Sequence, residues 1–140
     1  MKTLLVTGGL GFIGSNLIEL LLKKRFRVIN IDKVSYSSNF YNTKDYKNNK
    51  NYKFIKCDIN NQIKINKILN KYHPDCIFNL AAETHVDRSI DNAKHFIKSN
   101  ITGVFSLLQV CRFYAKKIKN LNLFIYLLMK FMVINLEEDR

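Results

Sequence analysis

The sequence predicts an α/β chain built as a doubly wound parallel sheet, and three observations predict it. Short apolar runs alternate with segments of helical periodicity along most of the chain. The stretch TGGLGFIGS sets Gly8, Gly11 and Gly14 three residues apart between the first apolar run and the first helical segment. An acid, Asp32, then closes the second run, eighteen residues after Gly14.

Lys2 to Thr7 carries Leu4, Leu5 and Val6 and stops at glycines, the pattern of a strand buried on both faces. From Ile13 to Lys24, Ile13, Leu17, Leu20 and Leu21 recur at helical spacing. Glu19 lies in the early part, and Lys23 and Lys24 close the last turn, an order that suits the helix dipole. Arg27 to Ile31, ending at Asp32, and Tyr52 to Lys56 are the second and third strands. Between them Lys33 to Asn51, rich in Asn, Ser, Tyr and Lys, is expected to be a loop with at most a short helix. Asn61 to Tyr72 places Ile65, Ile68 and Leu69 on one side and stops before His73-Pro74, where proline ends a helix. Cys76 to Leu80 is the fourth strand, Asp91 to Ser99 and Ile101 to Lys117 are helical, and a fifth apolar run begins at Leu121. Strand and helix in alternation imply right-handed crossovers with helices on both faces.

Each glycine of the loop has a physical task. Gly8 permits the sharp turn out of the strand, Gly11 lets backbone approach a diphosphate, and Gly14 allows the helix to pack closely on the sheet. The helix that follows offers unsatisfied N–H groups and a positive dipole end to phosphates. An acid at Asp32 can accept hydrogen bonds from an adenosine ribose and repel a 2′-phosphate, which favours NAD over NADP, with Lys33 working slightly against it. The competing interpretation is a plain β-turn-α with a capping acid. The strand before and the helix after favour a Rossmann-like dinucleotide site.

Composition bounds the rest. At 140 residues, with 47% hydrophobic and 24% charged residues, the chain fits one globular domain and is neither disordered nor collagen-like. A net charge of +12 and a pI near 9.7 raise the question of a nucleic-acid or anionic-membrane partner. Lys, Asn and Ile are abundant together, which A/T-rich coding DNA produces without any selected surface. Lys44, Lys47, Lys50, Lys53 and Lys56 recur every third residue, with Tyr46 and Tyr52 among them, but they span a loop and a strand and no RNA-binding motif surrounds them. No nucleic-acid partner is therefore expected. Cys57, Cys76 and Cys111 form neither a disulfide framework nor a zinc pattern, so a reduced cytoplasm is expected, with no metal. Leu121 to Ile134 contains Asn122 and Lys130 and falls short of the about 20 residues that span a bilayer, so no membrane partner is expected either.

These residues resemble the extended short-chain dehydrogenase/reductase family. Asp32-Lys33-Val34-Ser35-Tyr36, Asp58-Ile59 and above all NLAAETHVDRSI, Asn79 to Ile90, are similar to its dehydratase branch, which acts on dTDP-glucose on the way to rhamnose. Sister epimerases share Leu80-Ala81-Ala82, whereas the continuation through Glu83, His85, Asp87, Arg88 and Ser89 leans toward the dehydratases. The resemblance covers about the first 120 residues. It implies that Phe12 and Ile13 line the diphosphate loop and that Asp32, Lys33, Val34 and Ser35 surround the adenosine ribose. Asp58 and Ile59 would edge the adenine, Leu80, Ala81, Ala82, Glu83 and Thr84 would run beneath the nicotinamide half, and Ser99 would sit close to the cofactor. Thr84, usually Ser in the family, would also touch the nucleotide-sugar. Alternatively, Glu83, His85, Asp87 and Arg88 form a solvated loop with local ion pairs.

The resemblance also implies groups that this sequence lacks. In the family NAD takes a hydride from sugar carbon 4 and returns it to carbon 6 after water is eliminated. A Tyr with a Lys four residues later, and an Asp-Glu pair in a Thr-Asp-Glu motif after strand five, move the protons. Here the fifth run, Leu123 to Val133, has no acid, and the Tyr-xxx-Lys pairs at Tyr46, Tyr52 and Tyr126 are placed wrongly. No catalytic residue is assigned. One permitted set of codons for Tyr126 to Ile134, TAT-CTA-CTG-ATG-AAG-TTT-ATG-GTG-AT, spells Ser-Thr-Asp-Glu-Val-Tyr-Gly-Asp when read from the last base of the tyrosine codon. The expectation is an incomplete NAD-binding domain over 1–120 and an out-of-frame apolar tail over 121–140, without the carboxyl-terminal substrate domain. A true divergent end is the alternative. Family members are commonly homodimers, but the sequence leaves open whether this chain dimerises.

Overall fold

The computed structural model describes residues 1–83, 93–118, 121–127 and 130–135. In chain order the elements are β1 (Thr3–Thr7), α1 (Phe12–Lys23), β2 (Arg27–Asp32), a 3-10 turn (Phe40–Thr43), β3 (Tyr52–Lys56), α2 (Gln62–Tyr72) and β4 (Cys76–Asn79). There follow α3 (Ala93–Ile97), a π turn (Lys98–Thr102), α4 (Gly103–Ala115), β5 (Asn122–Leu127) and β6 (Lys130–Asn135). They form one sheet in the order β3-β2-β1-β4-β5-β6. The first five strands are parallel, and β6 returns antiparallel along β5, from Asn122 opposite Asn135 to Leu127 opposite Lys130. Strand order reverses between β1 and β4, which opens a crevice at the carboxyl edge of the sheet.

Because neighbouring strand residues point to opposite faces, each strand feeds two cores. Leu4, Val6 and Val28 pack against Ile18, Leu21 and Leu22 of α1. Leu5, Ile29, Ile31 and Ile77 pack against Ile65, Ile68 and Leu69 of α2 and Leu107, Val110, Cys111 and Tyr114 of α4. Helix α2 stops as expected: His73 takes a left-handed conformation, its N–H bonded to the Leu69 carbonyl, immediately before Pro74. The run from Leu121, set apart by the sequence as a tail, enters the sheet. Leu121 and Leu123 are buried in the α2/α4 core, and β6 pairs along the edge of β5. Among the described residues no helix is long and apolar enough to cross a membrane.

Candidate functional site

The crevice is shaped first by the glycine loop. Gly8 takes φ +70°, and a Cβ there would lie 2.7 Å from the Leu80 carbonyl oxygen and 2.8 Å from the Ala81 backbone. The chain leaving β4 therefore passes directly beside the loop. It is held there by Thr7, whose hydroxyl donates to Asn79 Oδ1 at 2.6 Å and accepts from the Ala81 N–H at 3.2 Å. At Gly14 a Cβ would run into the Gly8 carbonyl and lie 2.8 Å from Gly9 Cα, so α1 is seated on the loop without room for a side chain. Gly11 differs. Its added Cβ would meet only the Gly8 carbonyl oxygen, at 3.3 Å, and the rest of its surroundings are open. As the N-cap of α1 it supplies no side-chain cap, and the first turn carries no acid. The N–H groups that start the helix thus remain for an anion.

Asp32 ends β2, and its carboxylate organises the neighbouring turn. One oxygen accepts from the Val34 N–H and the Ser38 hydroxyl, both at 2.8 Å, and the other accepts from the Leu10 N–H at 3.1 Å. A carboxylate offers about four acceptor positions, so room for one ribose hydroxyl remains. At the end of β3, Asp58 accepts from the N–H and side-chain amide of Asn60, both at 2.9 Å, and that amide reaches the Lys98 carbonyl at 3.2 Å.

Gly8, Gly11, Phe12, Ile13, Asp32, Lys33, Ser35, Asp58, Ile59, Leu80, Ala81, Ala82 and Ser99 line one cavity of about 450 Å³. These sequence-predicted residues, scattered from 8 to 99, meet in one place. Val34 lies on an adjoining groove, Gly14 packs beneath the loop, and Glu83 reaches the site through Lys33, with Nζ 2.7 Å from Oε1. Thr84, His85, Asp87, Arg88 and Ser89 lie outside the described residues. Sequence reasoning missed Ile31, Ser37, Ser38 and Cys57 in the cavity wall, and Asn100, which pins the Glu83 backbone. Ser38 is six residues from its carboxylate partner, and only the fold of the turn shows the contact.

Burial disfavours the thiolate form of all three cysteines. Burial pushes the Cys111 thiol up to about 12 and the Cys76 thiol up to about 11, and raises Cys57 as well. Among the described residues no group of three His, Cys, Asp or Glu side chains could hold a metal ion. Lys44, Lys47 and Lys50 lie in turns, and Lys53 and Lys56 lie on β3 at the sheet edge.

The glycine cradle, the uncapped helix start and the acid at the end of β2 fit a dinucleotide cofactor. Comparison with known proteins agrees with that geometry. The family model described as GDP-mannose 4,6 dehydratase matches residues 5–125. A dTDP-glucose 4,6-dehydratase of Haemophilus influenzae is 46% identical over 115 residues, covering 81% of this chain and 34% of its own length. Its counterpart from Salmonella typhimurium is 42% identical over 112 residues, covering 79% and 31%. Among solved structures, the dTDP-glucose 4,6-dehydratase DesIV of Streptomyces venezuelae, crystallised with NAD, superposes with a TM-score of 0.77 at 34% identity, over 81% of this chain and 37% of that one. The chain spans about a third of the length of the curated relatives it matches. With a family match running from β1 into β5 and a sheet that superposes on a member's own, the chain belongs to the GDP-mannose 4,6 dehydratase family of extended short-chain dehydrogenase/reductases.

Proposed function

We propose that this chain forms the NAD-binding part of a dTDP-glucose 4,6-dehydratase, the enzyme that converts dTDP-glucose to dTDP-4-keto-6-deoxyglucose in nucleotide-sugar metabolism. The observation that carries the reading is the cavity at the strand-order reversal, walled by the glycine loop on one side and Leu80-Ala81-Ala82 on the other. Phe12 and Ile13 at the start of α1 would hold the diphosphate through their N–H groups. Asp32, with Lys33, Val34 and Ser35 around it, would take the adenosine ribose. Asp58 and Ile59 would bound the adenine, Leu80, Ala81, Ala82 and Glu83 would support the nicotinamide half, and Ser99 would close the far wall. Thr84 is assigned to both cofactor and sugar nucleotide. When bound, NAD supplies a hydride acceptor. The Tyr, Lys, Asp and Glu that the family uses for proton transfer are not assigned to any residue of this chain, so it is proposed to bind without turning over. A cytoplasmic setting fits three cysteines that are all free and buried.

Titration calorimetry with NAD tests the reading, together with incubation of the chain with dTDP-glucose. Saturable NAD binding without 4-keto product is expected. A folded chain that gives no heat with NAD would refute the binding assignment, and appreciable product would refute the loss of turnover.

A further inference from the structure

We propose that Glu83 makes the site selective against a 2′-phosphorylated dinucleotide by holding Lys33, and is thus a positioning residue for cofactor choice that acts through that lysine. The inference rests on the NAD reading above and deepens it. The sequence places opposite signals side by side: the carboxylate of Asp32 repels a 2′-phosphate, and the next residue is a cation that would attract one. Lys33 lines the same cavity as Asp32, so its charge cannot be ignored.

The fold resolves the conflict from across the sheet. Lys33 Nζ stands 2.7 Å from Glu83 Oε1 and donates to the Ser99 hydroxyl at 2.8 Å, which occupies two of its three protons. Glu83 is itself clamped. Its N–H donates to Asn100 Oδ1 at 2.8 Å, and the Asn100 amide donates to its carbonyl at 2.9 Å. Ser99 and Asn100 both belong to the π turn between α3 and α4, a local widening of the helix of the kind that recurs at functional sites. The Glu83 side chain is 14% exposed and that of Lys33 36%, so the pair is shielded from solvent chiefly on its carboxylate side. In the adjoining groove Lys64, the other ammonium held by a contact there, donates to the Lys56 carbonyl at 2.6 Å. The partners of Asp32, by contrast, are neutral donors, so its negative charge is left to act at the ribose.

The test measures Kd for NAD and NADP on the full chain, on Glu83→Gln, on Lys33→Met and on the double variant, with folding checked by circular dichroism. Glu83→Gln is expected to lower the NADP-to-NAD Kd ratio about tenfold, a change that a merely structural role would not produce because both dinucleotides share every other contact. In the Lys33→Met background the same substitution should leave the ratio within about threefold. An unchanged ratio in Glu83→Gln overturns the proposal. So does an equal fall in the Lys33→Met background, which would show that Glu83 acts by its own charge. An unsubstituted chain that binds both dinucleotides equally overturns this proposal and leaves the dinucleotide reading standing, whereas one that binds neither overturns both.

Discussion

At Gly14 a methyl group has nowhere to go, whereas at Gly11 it would press on one carbonyl oxygen and otherwise enter the cavity. The two positions therefore separate folding from binding. Gly14→Ala is expected to destabilise the chain by about 1–3 kcal/mol, the usual cost of overpacking. Gly11→Ala should melt within a few degrees of the parent, about what a change under 1 kcal/mol produces in a chain of this size, and yet weaken NAD binding. Thermal melts and calorimetry on the two variants check this, and equal loss of stability in both would contradict it. The glycine triplet was legible in sequence because its spacing is local. Asp32 was legible only in part. Its place at the end of β2 could be read from the sequence, but its bonds to Leu10, Val34 and Ser38 depend on how two loops fold onto it.

Helix and strand boundaries followed the sequence closely wherever periodicity was strong. Predicted Asn61 to Tyr72 became Gln62–Tyr72, and predicted Cys76 to Leu80 became Cys76–Asn79. The π turn at Lys98–Thr102 falls where the sequence divides its helical segments, after Ser99 and before Ile101, because one extra residue in a turn shifts phase without changing composition. Gly103 lies just after it. A Cβ there would lie 2.8 Å from Ile59 Cδ1, so α4 packs closely against the Ile59 side chain at that point. The β5 segment shows the opposite limit. The sequence sets its apolar run apart as a tail, and in the structure Leu123 is buried against Ile77 and the helices. Leu123→Ala should cost about 2–4 kcal/mol by denaturant unfolding, as for any leucine in a packed core. A change below about 0.5 kcal/mol would mean that β5 lies outside the cooperative unit.

At the scale of the whole molecule, β5 and β6 raise the question of where family sequence gives way. We propose that the reading frame shifts near residues 119 to 123, because a shifted frame of permitted codons for Tyr126 to Ile134 spells the acidic motif that the family resemblance places after strand five. The family match reaching residue 125 is compatible with a shift around that point. The coding DNA decides: codons 124–134 are expected to spell Ser-Thr-Asp-Glu-Val-Tyr-Gly-Asp in one shifted frame, and their failure to do so in either would end the idea. The sequence by itself determined the alternating architecture, the glycine turn before α1 and the acid that closes β2, since each is written in local spacing and residue type. Only the tertiary structure decided that Lys33, fifty residues from Glu83 and sixty-six from Ser99, is held by both, and that the apolar run after Leu121 completes a sheet. Those outcomes depend on which distant strand ends become neighbours, and the order β3-β2-β1-β4 that brings them together is set by chain crossover and packing, not by any local pattern.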